Sequence, residues 1–222
     1  MKVEYIHHSC FLVETSSCYY LFDYEKGLLP HMDSEKPIFV LFSHSHYDHY
    51  NPEIFSLLKS LGMQSIYGVL SDDIEFPAHI SGLQVSARAE YTLPLNQKLT
   101  TFQSTDLGVA FLIEDNQELI YHAGDLNDWV WEEESDSYNE QMTKDYHREI
   151  ELLSEKLAGK KIDTAFLVLD PRQEKDYDRG MYYFLKHIPV NTVYPMHYWN
   201  SPDIITAFLN KHPEYKLKFK TE

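Results

Sequence analysis

The sequence predicts an α/β fold in which short strands and amphipathic helices interleave around a substantial core. Three observations carry that reading. The first half of the chain is a series of short apolar runs separated by turn residues, the second half alternates helical and strand periodicity, and 43% of the 222 residues are hydrophobic. That composition is ordinary for a globular chain of this size. One domain over residues 1–222 is expected, because no stretch rich in Pro, Gly or Ser divides the chain.

The elements follow in order. Val3 to Ile6, Phe11 to Glu14, Tyr19 to Phe22 and Ile38 to Phe42 are short and rich in aromatic and branched residues, as strands are. Ser16-Ser17 turns the second into the third. Residues 52–61 place Ile54, Leu57, Leu58 and Leu61 on one helical face, with Asn51 as N-cap, Pro52 at the first position and Gly62 as the stop. Strands are then expected over Ser65 to Val69, near Leu83 to Val85, and over Leu99 to Phe102, Val109 to Glu114 and Glu118 to Tyr121; the last two are joined at Asp115-Asn116. The acidic run Glu132 to Asp136 reads as a solvated loop. After it, Met142, Tyr146, Ile150, Leu153 and Leu157 recur at spacings of three and four, which predicts an amphipathic helix over 141–157. Thr164 to Leu169 is a buried strand, Gly180 to Ile188 a helix, Thr192 to Tyr194 a strand and Pro202 to His212 a helix. Tyr215 to Phe219, with alternating lysines, reads as an edge strand.

Charge and composition exclude several roles. The formal charge is −16, from 35 acidic and 19 basic residues. A surface this acidic repels phosphate backbones, so nucleic acid is disfavoured as a partner and a small-molecule substrate is expected. No apolar run reaches the roughly 18 residues of a membrane span, and the first residues lack the apolar stretch of a signal peptide. A cytoplasmic protein is the expectation. Cys18 falls opposite Thr15 in the first hairpin while Cys10 lies beyond the pairing, so two free, buried thiols are expected.

Chemistry concentrates in Ser43-His44-Ser45-His46-Tyr47-Asp48-His49-Tyr50, where three histidines and a carboxylate occupy six positions. The octet lies between a buried strand and a helix, on the kind of loop that carries function on a rigid scaffold. Neutral imidazoles and carboxylates are the ligand set of zinc, and they also suit iron and manganese. Two further candidates follow strand ends: Asp125 after Leu119-Ile120-Tyr121-His122-Ala123-Gly124, and His197 after Val193-Tyr194-Pro195-Met196.

These motifs resemble the metallo-β-lactamase fold superfamily, in particular its small metal-dependent hydrolases similar to L-ascorbate-6-phosphate lactonases. The resemblance rests on Tyr5-Ile6-His7-His8-Ser9-Cys10-Phe11-Leu12-Val13-Glu14, Leu21-Phe22-Asp23-Tyr24, the octet, Tyr121-His122-Ala123-Gly124-Asp125 and Tyr194-Pro195-Met196-His197, in the family's order. It implies a four-layer αββα sandwich of two mixed sheets with helices on the outer faces. It also implies that His44 and His46 serve one metal, that Asp48, His49 and His197 serve a second, and that Asp125 bridges them. The chain departs from the pattern at one place. The third histidine of the first metal is missing, since the only histidine between Asn51 and Tyr121 is His79, in the unsuitable context Phe76-Pro77-Ala78-His79-Ile80. Asp106, in Ser104-Thr105-Asp106-Leu107-Gly108, stands in the right interval as an oxygen donor; its other reading is a turn-capping residue before Gly108.

The expected cofactor is therefore zinc, as one or two ions, with manganese or iron as alternatives for an oxygen-richer set. One metal is expected to bind tightly at the second position and another weakly, or not at all, at the first. The expected reaction is hydrolysis of a small ester, lactone, thioester or phosphodiester by metal-activated water, with Asp48 as a ligand that also positions the nucleophile. The alternatives are a metal-binding sensor or scaffold without turnover and, less favoured on charge, a nuclease. Trp129 and Trp131 follow Asp125 and either line a substrate cleft or pack internally. Arg172, after the strand ending at Leu169, either grips a substrate carboxylate or phosphate or pairs with an acidic neighbour. His8 and His122 stand close to the motifs, as hydrogen-bonding supports of ligands or as ordinary buried histidines.

Overall fold

The computed structural model of the chain describes residues 1–220. Its strands form two sheets of six. The first has the order β1 (Lys2–His7), β2 (Cys10–Glu14), β3 (Tyr19–Phe22), β4 (Ile38–Phe42), β5 (Ile66–Ser71), β6 (Gly82–Val85). β1 to β3 pair antiparallel, and β3 to β6 continue in parallel. The second sheet runs β7 (Glu90–Thr92), β8 (Lys98–Gln103), β9 (Val109–Asp115), β10 (Glu118–His122), β11 (Ile162–Val168), β12 (Val190–Met196), antiparallel up to β10 and parallel after it. The helices are α1 (Ile54–Ser60), α2 (Asp136–Leu157), α3 (Arg179–His187) and α4 (Asp203–Lys211).

The period-two alternation of the strands builds the layers. In β4, Phe39 and Leu41 face the inter-sheet core while Ile38, Val40 and Phe42 face a second core with Ile54, Phe55 and Leu58 of α1. β2 divides likewise: Phe11 and Val13 point one way, Cys10 and Leu12 the other. Across the middle, Phe11 of the first sheet meets Phe166 of the second with ring centroids 4.4 Å apart. On the far side of the second sheet, Tyr121 packs on Phe184 of α3, and Tyr146, Ile150 and Leu153 of α2 join the same core. The result is a mixed α/β sandwich with α1 outside one sheet and α2 and α3 outside the other.

Several expectations are corrected. α1 starts at Ile54, so Asn51 is not its N-cap; the Asn51 carboxamide instead accepts from the Glu53 N–H at 3.0 Å, in a turn that precedes the helix. Its buried face is Ile54, Phe55 and Leu58, whereas Leu61 is exposed, because the helix ends there. α2 begins inside the acidic run: Ser135 accepts from the Tyr138 N–H, and Asp136 lies in the first turn, where a negative charge suits the helix dipole. Tyr215 to Phe219 is not a strand. A 3-10 turn over Pro213–Tyr215 leaves only a single bridge, between Val193 and Phe219. β7 has no counterpart in the sequence reading. Cys10 and Cys18 are buried free thiols.

Candidate metal centre

Seven segments that follow strands reach one edge of the sandwich, and they bring the chemistry with them. His8 follows β1, Asp23 follows β3, the histidine octet follows β4, Asp106 follows β8, Asp125 follows β10, Asp170 follows β11 and His197 follows β12. The backbone is unusual here. His8, Asp23 and His197 have positive φ (51°, 42° and 65°), as do Gly108 and Gly124. Left-handed backbone in residues other than glycine carries strain that surrounding structure must hold in place, and it clusters at functional sites.

The two glycines explain how the sheets close on each other at this edge. A Cβ on Gly108 would stand 2.0 Å from the Ser43 carbonyl oxygen and 2.7 Å from the His44 Cβ; one on Gly124 would stand 2.7 Å from the Ser43 Cβ. Only glycine lets the β8–β9 and β10–α2 loops press directly against the start of the octet.

Two groups of donor atoms result. His8, Asp48, His49 and His197 form one, and His44, His46, Asp106 and Asp125 form the other. Asp125 also connects them. Its Oδ1 lies 3.2 Å from His49 Nε2 and 3.5 Å from His197 Nε2, while its Oδ2 lies 3.7 Å from His44 Nε2. Asp106 Oδ2 is 3.5 Å from His46 Nδ1 and has no turn-capping bond; Ser104 Oγ accepts the Asp106 N–H instead. The octet, Asp106, Asp125 and His197 are thus gathered in space. His8 joins them as a potential donor, a place that the sequence reading left open among support and ordinary burial.

The donor atoms point at one another without bonding. His8 Nε2, His44 Nε2, His49 Nε2, His197 Nε2 and Asp125 Oδ1 are buried and lack a hydrogen-bond partner among the described residues. Buried polar atoms are almost always partnered, so five orphans gathered in two adjoining groups need an explanation. A metal ion would supply it. Ligand atoms about 2.0–2.2 Å from a shared centre stand roughly 3.3–3.6 Å apart at tetrahedral angles, which matches the spacing around Asp125.

The remaining ring nitrogens are committed elsewhere, and this fixes which nitrogen is free. His49 Nδ1 meets Asp23 Oδ2 at 2.9 Å, and His197 Nδ1 meets Asp170 Oδ2 at 2.7 Å. His44 Nδ1 meets Ser43 Oγ at 2.9 Å, whose hydroxyl donates to Asp23 Oδ2 at 2.6 Å. With each Nδ1–H donating outward, Nε2 is the nitrogen left to face inward, and it offers its lone pair wherever the ring is neutral. Asp23 is fully buried and also accepts the Ser43 N–H at 2.7 Å. Sequence reasoning missed both buried acids, although each directly follows an apolar strand, as Asp125 does.

Protonation suits cation binding at most positions. Burial lowers His44 to about 4 and lowers His8. Burial opposes ionisation of Asp125, but the neighbouring His49 and His197 hold it well below the usual carboxylate range. Asp48 behaves similarly, with His8 and His49 outweighing burial. His49 is the exception: despite burial, Asp125 and Asp23 hold its proton well above the ordinary histidine value. Asp106 is raised by burial and by the charge of Asp125.

Two cavities flank the donors. One, of about 190 Å³, is lined by Asp106, Asp125, Trp129, Trp131, Met142 and Arg172 among others. The other, of about 330 Å³, is lined by His8, Glu25, Lys26, Tyr47, Asp48 and Trp199 among others. Trp129 is buried, donates its indole N–H to the Asp125 carbonyl at 2.8 Å and stacks on Trp131. Arg172 forks onto Asp170, with Nε at 2.9 Å and Nη2 at 2.5 Å from Oδ2, and lies over the rings of Trp131 and Trp199. His122 is a structural bolt rather than a donor. Its Nε2 meets the Ser9 carbonyl at 2.9 Å, its Nδ1 accepts from the Gly124 N–H, and its ring stacks on Phe22.

Residues 2–140 match the family model described as a β-lactamase superfamily domain. The chain belongs to the metallo-β-lactamase superfamily. Solved structures superpose along nearly all of it. Igni18, described as a novel metallo hydrolase from Ignicoccus hospitalis, is 17% identical with a TM-score of 0.67, over 99% of this chain and 94% of its own. Zn2+-bound PqqB from Methylobacterium extorquens is 12% identical with a TM-score of 0.56, over 96% of this chain and 83% of its own. CmlA, a diiron β-hydroxylase from Streptomyces venezuelae, is 10% identical with a TM-score of 0.60, over 99% of this chain and 52% of its own. No curated protein sequence matches this metallo-β-lactamase-superfamily chain. No helix among its described residues is long and apolar enough to cross a membrane.

Proposed function

We propose that the protein is a metal-dependent hydrolase acting on a small ester, lactone, thioester or phosphodiester. The observation that carries this reading is the convergence of three unpartnered buried imidazole nitrogens on Asp125, with His49 and His197 facing one carboxylate oxygen and His44 the other. His44, His46, Asp106 and Asp125 would hold a first metal. Asp48, His49 and His197 would hold a second, with Asp125 shared. A metal in this setting lowers the pKa of a bound water towards neutrality and polarises a substrate oxygen. The chain's own residues do the rest. Asp23 and Asp170 fix the imidazoles, Asp48 is a ligand that helps position the nucleophile between the two groups, and Trp129 holds the backbone of Asp125.

The two donor groups differ in exposure. His46 and Asp106 side chains are each 47% exposed, while those of His49 and His197 are buried. This supports tighter retention at the second position and easier exchange at the first. Two imidazoles and two carboxylates are within reach of each position, a set that fits zinc and also suits manganese or iron. Known structures of this fold include one with zinc and one described as diiron.

Trp131 and Arg172 at the smaller cavity suit a compact substrate with a flat or apolar body and an anionic group. The acidic surface disfavours a nuclease. The two free thiols agree with a cytoplasmic setting. The five sequence motifs also favour the small-hydrolase group similar to L-ascorbate-6-phosphate lactonases. The test is a panel of lactone, thioester and bis-p-nitrophenyl phosphate substrates with metal-free protein to which zinc, manganese or iron is restored. Turnover that requires added metal supports the reading. Metal binding without turnover of any substrate supports a sensor or scaffold instead.

A further inference from the structure

His8 is not among the residues that the family resemblance assigns to a metal, yet the fold treats it as one that is. It stands just past the end of β1 in left-handed backbone, with φ of 51°. Its N–H donates to the Tyr5 hydroxyl at 2.9 Å, so the strained conformation is pinned from behind. Its ring packs against those of both His197 and Trp199, at centroid distances of 4.3 and 4.5 Å, and meets the His49 ring at 5.6 Å. This packing aims Nε2 at the same point as the other donors. That atom is buried and has no hydrogen-bond partner among the described residues, and Asp48 Oδ2 lies 3.5 Å away. All four donor atoms of His8, Asp48, His49 and His197 lie within 4.8 Å of one another.

We propose that His8 Nε2 is a direct donor to the second metal position, which then draws on four side chains of its own besides the shared Asp125. This rests on the metal-centre reading above and sharpens it. With His8 the second position draws on five protein donors, the shared Asp125 included, against four at the first, and so keeps less room for the water or substrate that a catalytic position needs. The open place therefore belongs to the first position, beside the exposed His46 and Asp106 and next to the cavity that Trp131 and Arg172 line. His8 divides the labour between the two positions: the second is a fixed anchor and the first faces substrate.

The test needs no turnover. Metal-free protein carrying ring-15N histidine is titrated with zinc, and the imidazole nitrogens that move to metal-bound shifts are counted. Five rings are expected at saturation, from His8, His44, His46, His49 and His197, with the His8, His49 and His197 signals moving on the first equivalent. Four rings, with His8 unmoved, overturn the proposal and leave the metal centre standing. A wild-type protein that takes up no zinc overturns the metal-centre reading itself, and this proposal with it. His8→Gln identifies the His8 signal and is expected to lower affinity at the tight position at least tenfold against a competing chelator. Unchanged affinity in a folded His8→Gln protein counts against the proposal. If that variant does not fold, the ring count on the wild type decides alone.

Discussion

Replacing Asp23 by Asn removes one charge and no volume, which isolates what that buried carboxylate does. Its Oδ1 accepts the Ser43 N–H at 2.7 Å; its Oδ2 accepts the Ser43 hydroxyl at 2.6 Å and the His49 Nδ1–H at 2.9 Å. An amide cannot reproduce this set. With its nitrogen towards Ser43 N–H it opposes donor to donor, and with its nitrogen towards His49 it meets a ring N–H and a hydroxyl that must both turn away. A hydrogen bond to a charged group is worth about 1.5–3 kcal/mol, and an unsatisfied buried donor costs about 1–3 kcal/mol. One lost partner plus one opposed donor therefore predicts a loss of about 3 kcal/mol in metal-free stability, measured by urea denaturation. His49 and, through Ser43, His44 would both lose their enforced tautomer, so metal affinity should fall about 10- to 100-fold, as for other outer partners of ligand histidines. The assay is competition against a chromophoric chelator. A variant within 1 kcal/mol of wild type with unchanged affinity would refute the argument that Asp23 organises both donor groups.

Gly108→Ala should destabilise the protein by about 3 kcal/mol or more, because a left-handed alanine is strained and its Cβ would sit 2.0 Å from the Ser43 carbonyl oxygen; thermal unfolding would show it, and an unchanged midpoint would contradict the close approach. Metal uptake near neutral pH should release a proton, because Asp125 and Asp23 hold His49 protonated in the metal-free protein despite its burial. The sign follows directly: apparent affinity rises with pH, by about tenfold per unit while His49 stays charged, and calorimetry in buffers of different ionisation enthalpy measures the release. Arg172→Gln should raise KM for an anionic ester about tenfold relative to its neutral analogue, with the ratio of the two kcat values little changed. An equal rise for both would show that Arg172 acts only through Asp170.

The octet was legible because its chemistry is local: three histidines and a carboxylate within six residues announce themselves at the level of sequence. Asp125 and His197 were legible for a related reason, each following an apolar strand whose end has a predictable destination. The layers came from the resemblance, and β2 and β4, apolar on both faces, agree with a sheet covered on each side. What escaped the sequence is held by contacts between remote segments. Asp23 and Asp170 look like ordinary acids after strands until His49 and His197 are seen against them, 26 and 27 residues away in sequence. His8 reads as one histidine of a pair until the packing of His197 and Trp199 against it is in place. β7 is three residues long, too short for periodicity to register. At Tyr215 to Phe219 the alternating lysines imitated a strand, but the turn at Pro213–Tyr215 leaves it a single bridge at Phe219.

The loop carrying Asp106 and the loop carrying Asp125 are stitched together by Thr105, whose hydroxyl donates to the Asn127 carbonyl at 2.6 Å and accepts the Asn127 N–H at 3.0 Å. That stitch makes the exposed donor a passenger on the shared one. In the proposed centre, a shift of the Asp106 loop that released an ion would pull on the loop of the carboxylate that both positions share, so departure at the open side would be felt at the closed side. An exchange of metal there would be a mechanical event for the whole edge of the sandwich, and one hydroxyl group sets how stiff that linkage is.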